Sequence, residues 1–98
     1  MNLNTLLTRG NEYVYSDVAG EVVMMNITTG NYASFNETGN VVWYILDRAK
    51  TVQIIIDELA LAHKVTFEQC QTDLLPFLEK LVDRKILIEG ADATLLKS

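Results

Sequence analysis

The sequence has a single cysteine, Cys70, so no internal disulfide can form, and it has no CxxC pair to suggest a zinc site. Its single histidine, His63, excludes a histidine pair and an HExxH motif, and leaves any Ser-His-Asp set hanging on one imidazole. Cys70 and His63 are seven residues apart across a predicted helix boundary, an arrangement that does not by itself put a thiol and a base within hydrogen-bond reach. The five glycines are scattered and form neither GxGxxG nor GxxxxGK[ST], which excludes the common phosphate-binding loops. Basic residues are few: eight Lys and Arg stand against thirteen Asp and Glu, for a formal charge of -5. That balance disfavours a role in holding phosphate backbones, where affinity comes from cationic side chains displacing counterions. No apolar run approaches the roughly 18 residues a membrane span requires, and Met1 to Arg9 lacks the basic-then-apolar pattern of a signal peptide. These absences predict a reduced, cytoplasmic domain without catalytic residues, metal or cofactor. His63 reads as a helix-ending cation and Cys70 as a small core residue.

What is present is an ordinary globular composition, 49% hydrophobic and 21% charged, in a length that allows one domain. The expected domain spans residues 1–98, with a core of about 12–89. From Glu12 to Phe35 the pattern is strand-like. Glu12–Val18 and Glu21–Ile27 are rich in Val, Tyr and Met, and Asp17-Val18-Ala19-Gly20 between them predicts a hairpin turn. Thr28-Thr29-Gly30-Asn31 supplies the residues that tolerate positive φ in a second turn. Tyr32–Phe35 then forms a short third strand, giving an antiparallel meander.

The second half is helical. Asn36-Glu37-Thr38-Gly39 is a cap-rich start to a helix reaching Asp47, in which Trp43 reads as core. Thr51 caps a second helix whose Val52, Ile55, Ile56 and Leu59 form an inward stripe. At about 100° per residue Ile54 and Leu61 fall together on the opposite side, a small apolar ridge suited to docking a partner. Thr66 and Gln69 match a capping box for a third helix, with Phe67, Cys70, Leu74, Phe77, Leu78 and Leu81 on one stripe. Pro76 in its interior predicts a kink. Ile86–Glu89 is a short extended close, followed by Gly90 and a polar tail.

The predicted fold is α+β and winged helix-turn-helix-like: a three-stranded antiparallel sheet followed by three helices. DNA recognition fits the architecture poorly, because the third helix carries Glu68, Asp73, Glu79 and Asp83 beside Lys80 and Arg84 and has no basic stripe. A different use follows from the meander. Its last strand ends as an unpaired edge, which is a liability unless covered or used for β-augmentation. Each backbone hydrogen bond contributes only about 0.5–1.5 kcal/mol net, while ordering a peptide residue costs about 1–2 kcal/mol. Apolar anchors therefore decide the affinity of an added strand. Leu74, Phe77 and Leu81 supply a helical wall for such a peptide, with Asp73 and Lys80 at its rim.

Gly20-Glu21-Val22-Val23-Met24-Met25-Asn26, then Thr29-Gly30-Asn31-Tyr32-Ala33-Ser34-Phe35-Asn36-Glu37-Thr38-Gly39 and Val42-Trp43, resemble the PqqD family. The likeness continues through Thr51-Val52, Ile55, Leu59, Asp73-Leu74, Phe77-Leu78, Leu81 and Ile86-Leu87. Phe35 stands where that family usually has Leu, Ile54 and Ile56 replace commonly polar or small residues, and Pro76 is an added departure. The resemblance implies a RiPP recognition element, which binds the leader of a ribosomally made precursor peptide along the third strand, in a groove walled by the third helix. It places the peptide site at Tyr32, Ala33, Ser34, Phe35, Asp73, Leu74, Phe77, Lys80 and Leu81. It implies partnership with a leader peptidase or other modifying enzyme, most closely in the manner of lasso-peptide clusters. The alternative is a pyrroloquinoline-quinone-type chaperone serving a radical SAM enzyme, with a winged-helix DNA-binding regulator third. The expected state is a monomer or weak dimer, with neither nucleic acid nor membrane as partner.

Overall fold

A computed structural model describes residues 1–90; the polar tail expected after Gly90 lies outside the described residues. The chain runs β1 (Leu6–Arg9), β2 (Tyr13–Val18), β3 (Glu21–Asn26), β4 (Tyr32–Ser34), α1 (Glu37–Ile45), β5 (Lys50–Thr51), α2 (Val52–His63), α3 (Phe67–Asp83) and β6 (Leu87–Glu89). The α+β, winged-helix-like architecture is as the sequence predicts, with the meander β2-β3-β4 followed by three helices. A second small sheet, ordered β5-β1-β6, was not anticipated.

The local chemistry accounts for the meander. β2 and β3 are joined through Ala19 and Gly20, both at positive φ (54° and 86°), the geometry whose twist matches a two-residue hairpin. The Asp17 carboxylate accepts the Gly20 N–H at 2.9 Å and fixes this turn. At the next connection the Asn26 side chain accepts from the N–H groups of Thr28 and Thr29, and Gly30 takes φ 76°.

Each helix begins at a side-chain cap. Asn36 accepts from Gly39, Thr51 from Ile54 and Thr66 from Gln69. Gly39 also permits close packing. A Cβ there would stand 2.7 Å from the Phe35 side chain, which lies across the first turn of α1. α3 continues through Pro76 to Asp83. The proline is exposed, so the carbonyl that loses its helical donor is on the solvent side.

The core lies between the helices and both sheets. Val52, Ile55, Ile56 and Leu59 of α2 are buried as a stripe, against Cys70, Leu74, Leu78 and Leu81 of α3 and Val42, Trp43 and Leu46. Val22 and Met24 come from the meander, while Leu7 and Leu87 come from the second sheet. Leu7 is fully buried, so the core reaches N-terminal of Glu12. Arg9 joins the parts. Its guanidinium donates twice to the Trp43 carbonyl (2.8 and 3.0 Å) and once to the Tyr15 hydroxyl, and lies 4.6 Å from the Trp43 ring centre. The Trp43 carbonyl is in the last turn of α1, where no helical donor is available.

Candidate functional site

The meander is ordered β2-β3-β4, so β4 has β3 on one side and an open edge on the other. Its register pairs Met25 with Tyr32, Met24 with Ala33 and Val23 with Ser34. One step further along, the Asn26 N–H donates to the Asn31 carbonyl at 2.9 Å. Hydrogen-bonded and non-hydrogen-bonded pairs alternate in an antiparallel ladder. Ala33 therefore spends its backbone groups on Met24, while the N–H and C=O of Tyr32 and Ser34 point to the open edge. Where β4 ends, the Asn40 side chain accepts the Val22 N–H at 3.2 Å and closes the β3 ladder.

A cleft of about 320 Å³ begins just past the end of β4. Asn36 and Thr38 line it at the start of α1, Leu59, His63 and Val65 at the end of α2, and Cys70, Asp73, Leu74 and Phe77 along α3. Its floor is apolar, and Asn36, Thr38, His63 and Asp73 supply the polar groups. At about 100° per residue, Cys70, Asp73, Phe77 and Lys80 fall on one side of α3. Lys80, exposed, continues that side beyond the cleft.

The structure brings Asp73, Leu74 and Phe77 together at the cleft and places three other candidate residues away from it. Leu81 is 4% exposed and packs into the core one turn further along α3 than Phe77, beyond the residues that line the cleft. Ala33 faces inward against the core and has no outward backbone group. Phe35 lies beyond β4 and turns inward, its ring 6.0 Å from that of Trp43. Tyr32 and Ser34 remain as edge residues, and Tyr32 is 76% exposed. Ile54 and Leu61 are exposed on α2 at 43% and 81%, away from its buried stripe.

Asn36, Thr38, His63, Val65, Leu59 and Cys70 were not assigned to a site from the sequence. They come from three helix ends and faces that only the fold brings together. His63 and Cys70 share the cleft lining, yet the thiol is not set up as a nucleophile. Burial first, and the nearby Asp73 carboxylate second, push its pKa above the ordinary value. Both influences keep sulfur protonated, the opposite of an activated cysteine. The Cys70 Sγ lies 3.6 Å from the Ile56 carbonyl, its hydrogen-bond acceptor. Among the described residues no three His, Cys, Asp or Glu side chains cluster as a metal site, and no helix is long and apolar enough to cross a membrane.

Comparison with known proteins connects this arrangement to others. The solved structure of TbiB1 in complex with the TbiA(beta) leader peptide is similar to this chain at 26% identity, with a TM-score of 0.75. The similarity covers 87% of this chain and 99% of that one. A search of curated proteins gave no match. The family model for coenzyme PQQ synthesis protein D (PqqD) matches residues 21–87, from the start of β3 into β6. The matched segment takes in β3, β4 and all three helices, and the chain thus belongs to the PqqD family, as a PqqD-like RiPP recognition element.

Proposed function

We propose that this chain is a non-catalytic adaptor that binds the leader of a ribosomally synthesised precursor peptide and presents it to a separate processing enzyme. The observation that carries this reading is the outward pair of backbone groups on Tyr32 and Ser34, next to an apolar cleft walled by α3. An added leader strand takes its main-chain bonds from Tyr32 and Ser34. Its side chains on the inward side reach Leu74 and Phe77, with Asp73, and Lys80 beyond it, as polar rim. The likeness to TbiB1, solved with a leader peptide, supports a leader as the ligand. The raised pKa of Cys70 supports the absence of thiol chemistry.

The pathway we assign is lasso-peptide biosynthesis, in the cytoplasm, with a leader peptidase as partner and the adaptor a monomer or weak dimer. The family description favours one second reading, a chaperone for a radical SAM enzyme of pyrroloquinoline quinone synthesis. The precursor encoded beside this gene separates the two. The Ile54–Leu61 ridge of α2 is assigned a secondary contact with the enzyme, too small to hold it alone. Ile54→Asp with Leu61→Asp should leave leader affinity intact and slow processing; wild-type processing with leader bound would remove the ridge from the reading.

The edge is tested by amide exchange. Adding leader should slow exchange at Tyr32 and Ser34, whereas the Ala33 amide is protected beforehand by Met24. Ser34→Pro deletes an outward donor and leaves the β3–β4 bonds in place, so it should weaken leader binding in a protein that stays folded. Unchanged protection at both outward amides would sink the strand-addition reading. Phe77→Ala, measured where the variant is folded, should weaken binding as well, and Lys80→Glu should change which leaders are preferred with little effect on stability.

A further inference from the structure

An antiparallel sheet with one face on a core normally turns polar side chains to water on the other. The β2-β3-β4 meander departs from that pattern. Its register places Val14, Met25 and Tyr32 in one cross-strand row, and Val23 between Ser16 and Ser34 in the next. Val18 shares this face at the hairpin end, and Ile27 extends it at the other, where its N–H continues the ladder to the Glu12 carbonyl at 2.8 Å. The opposite face carries the buried Val22 and Met24. Val14, Val18, Ile27 and Tyr32 are all exposed. Ser16, Ser34 and Glu21, the last paired with Val18, are polar members of this face. Single exposed apolar residues need no explanation, but Val14, Val18, Val23, Met25, Ile27 and Tyr32 gathered on one face mark a contact surface.

The charge around it identifies the kind of partner. Between Arg9 and Arg48 the chain has no Lys or Arg, but it has Glu12, Asp17, Glu21, Glu37 and Asp47. The remaining eight acidic residues are matched in number by the eight basic ones. Lys85 lies 3.9 Å from Glu12 and Lys50 3.5 Å from Asp47, so among the described residues Asp17, Glu21 and Glu37 carry the segment's negative charge without a cation beside them. A second copy laid face to face would oppose two such segments, and an anionic membrane or a nucleic acid would be repelled. We propose that the outer face of the meander docks a protein whose contact patch is apolar and bordered by Lys or Arg.

The α2 ridge has two apolar side chains, too few for the roughly 800 Å² that each partner contributes to a stable interface. The meander face is wider and includes Tyr32, the residue whose backbone offers the leader edge. A strand added to β4 widens this same face, so a partner seated there also touches the leader. That the partner is the enzyme acting on the precursor rests on the adaptor reading.

The test uses the full chain, a fluorescein-labelled leader from the precursor encoded beside its gene, and the purified processing enzyme encoded there. Val14→Lys with Ile27→Lys should weaken enzyme binding by about tenfold or more while leader affinity and the thermal transition stay near wild type. Both residues point away from the core and neither is on β4. Glu21→Lys, which leaves the apolar face intact, should weaken enzyme binding less, and its effect should shrink as salt is raised. Unchanged enzyme binding by both variants would overturn the proposal. So would a wild-type self-association abolished by the paired lysines, which would give the face to a second copy. A wild-type chain that binds the enzyme but no leader would overturn the adaptor reading and leave the docking face to stand on the variants alone.

Discussion

The two three-stranded sheets formed by the described residues differ in what their free surfaces do. In the β5-β1-β6 sheet the central strand begins with Leu6 and Leu7, both buried, and its neighbours arrive from either side of the two long helices. It ties the chain's start to its later half. In the β2-β3-β4 sheet only Val22 and Met24 are fully buried, both on the central strand. The two outer strands leave open edges, and the outer face is apolar and exposed. The β5-β1-β6 sheet also ends in two outer strands, so open edges do not separate the two. The exposed apolar face of the meander does, together with the cleft of α3 that starts where its last strand ends.

The sharpest way to break this comparison is to make the same kind of cut in both sheets. Leu7→Ala removes a fully buried side chain from β1 and should cost about 2–5 kcal/mol of stability. Val14→Ala, on the outer face of the meander, should stay within about 0.5 kcal/mol of wild type. Urea unfolding of the two variants measures the difference. Equal losses would mean that the meander face is packed in solution and the distinction fails.

The same contrast explains what was legible in the sequence. The meander is written locally: Asp17 and Gly20 sit within four residues of each other, and Gly30 marks the next turn. Helices were legible for the same reason, through Asn36, Thr51 and Thr66 at their starts and through the α2 stripe. β1 was not, because Leu6-Leu7-Thr8-Arg9 is four residues with no alternation, and its partners are Lys50-Thr51 and Leu87–Glu89. Nothing in a short window points across such a separation. The site divides in the same way. Asp73, Leu74 and Phe77 follow from helical spacing, whereas Asn36, His63 and Val65 reach the cleft only through the packing of three helices. Leu81 belongs to the same stripe yet lies outside the cleft, because periodicity identifies a stripe but not where along its length it is covered.

A smaller effect is expected where the two sheets are fastened together. Arg9 is the last residue of β1, and its guanidinium reaches the Trp43 carbonyl of α1 and the Tyr15 hydroxyl of β2. Arg9→Ala should cost about 1.5–3 kcal/mol, the range for hydrogen bonds to a charged group. Arg9→Lys keeps the charge but cannot present two parallel donors to one carbonyl, so it should recover only part of the loss. Full recovery by lysine would make charge, and not the fork geometry, the fastening.

The smallest effect lies at the other junction, between the hairpin tip and α1. The Tyr44 hydroxyl donates to the Asp17 carboxylate, whose other oxygen accepts the Gly20 N–H. This hydrogen bond, then desolvation and the negative charge of Asp17, raise the Tyr44 pKa above its ordinary value of 10.0. A raised folded-state pKa stabilises the fold fully below the unfolded value, and the contribution is lost as pH rises through the folded one. The wild-type protein should therefore lose this small contribution above pH 10, where Tyr44→Phe has nothing comparable to lose. Ultraviolet titration of tyrosinate checks it directly, because Tyr44→Phe should remove a component that ionises above the ordinary range. If the wild type and Tyr44→Phe show the same alkaline stability curve and the same high-pH tyrosinate component, the hairpin tip is held by its own turn alone. The meander would then join the helical half through Arg9, the Val22–Asn40 hydrogen bond and its inward apolar face.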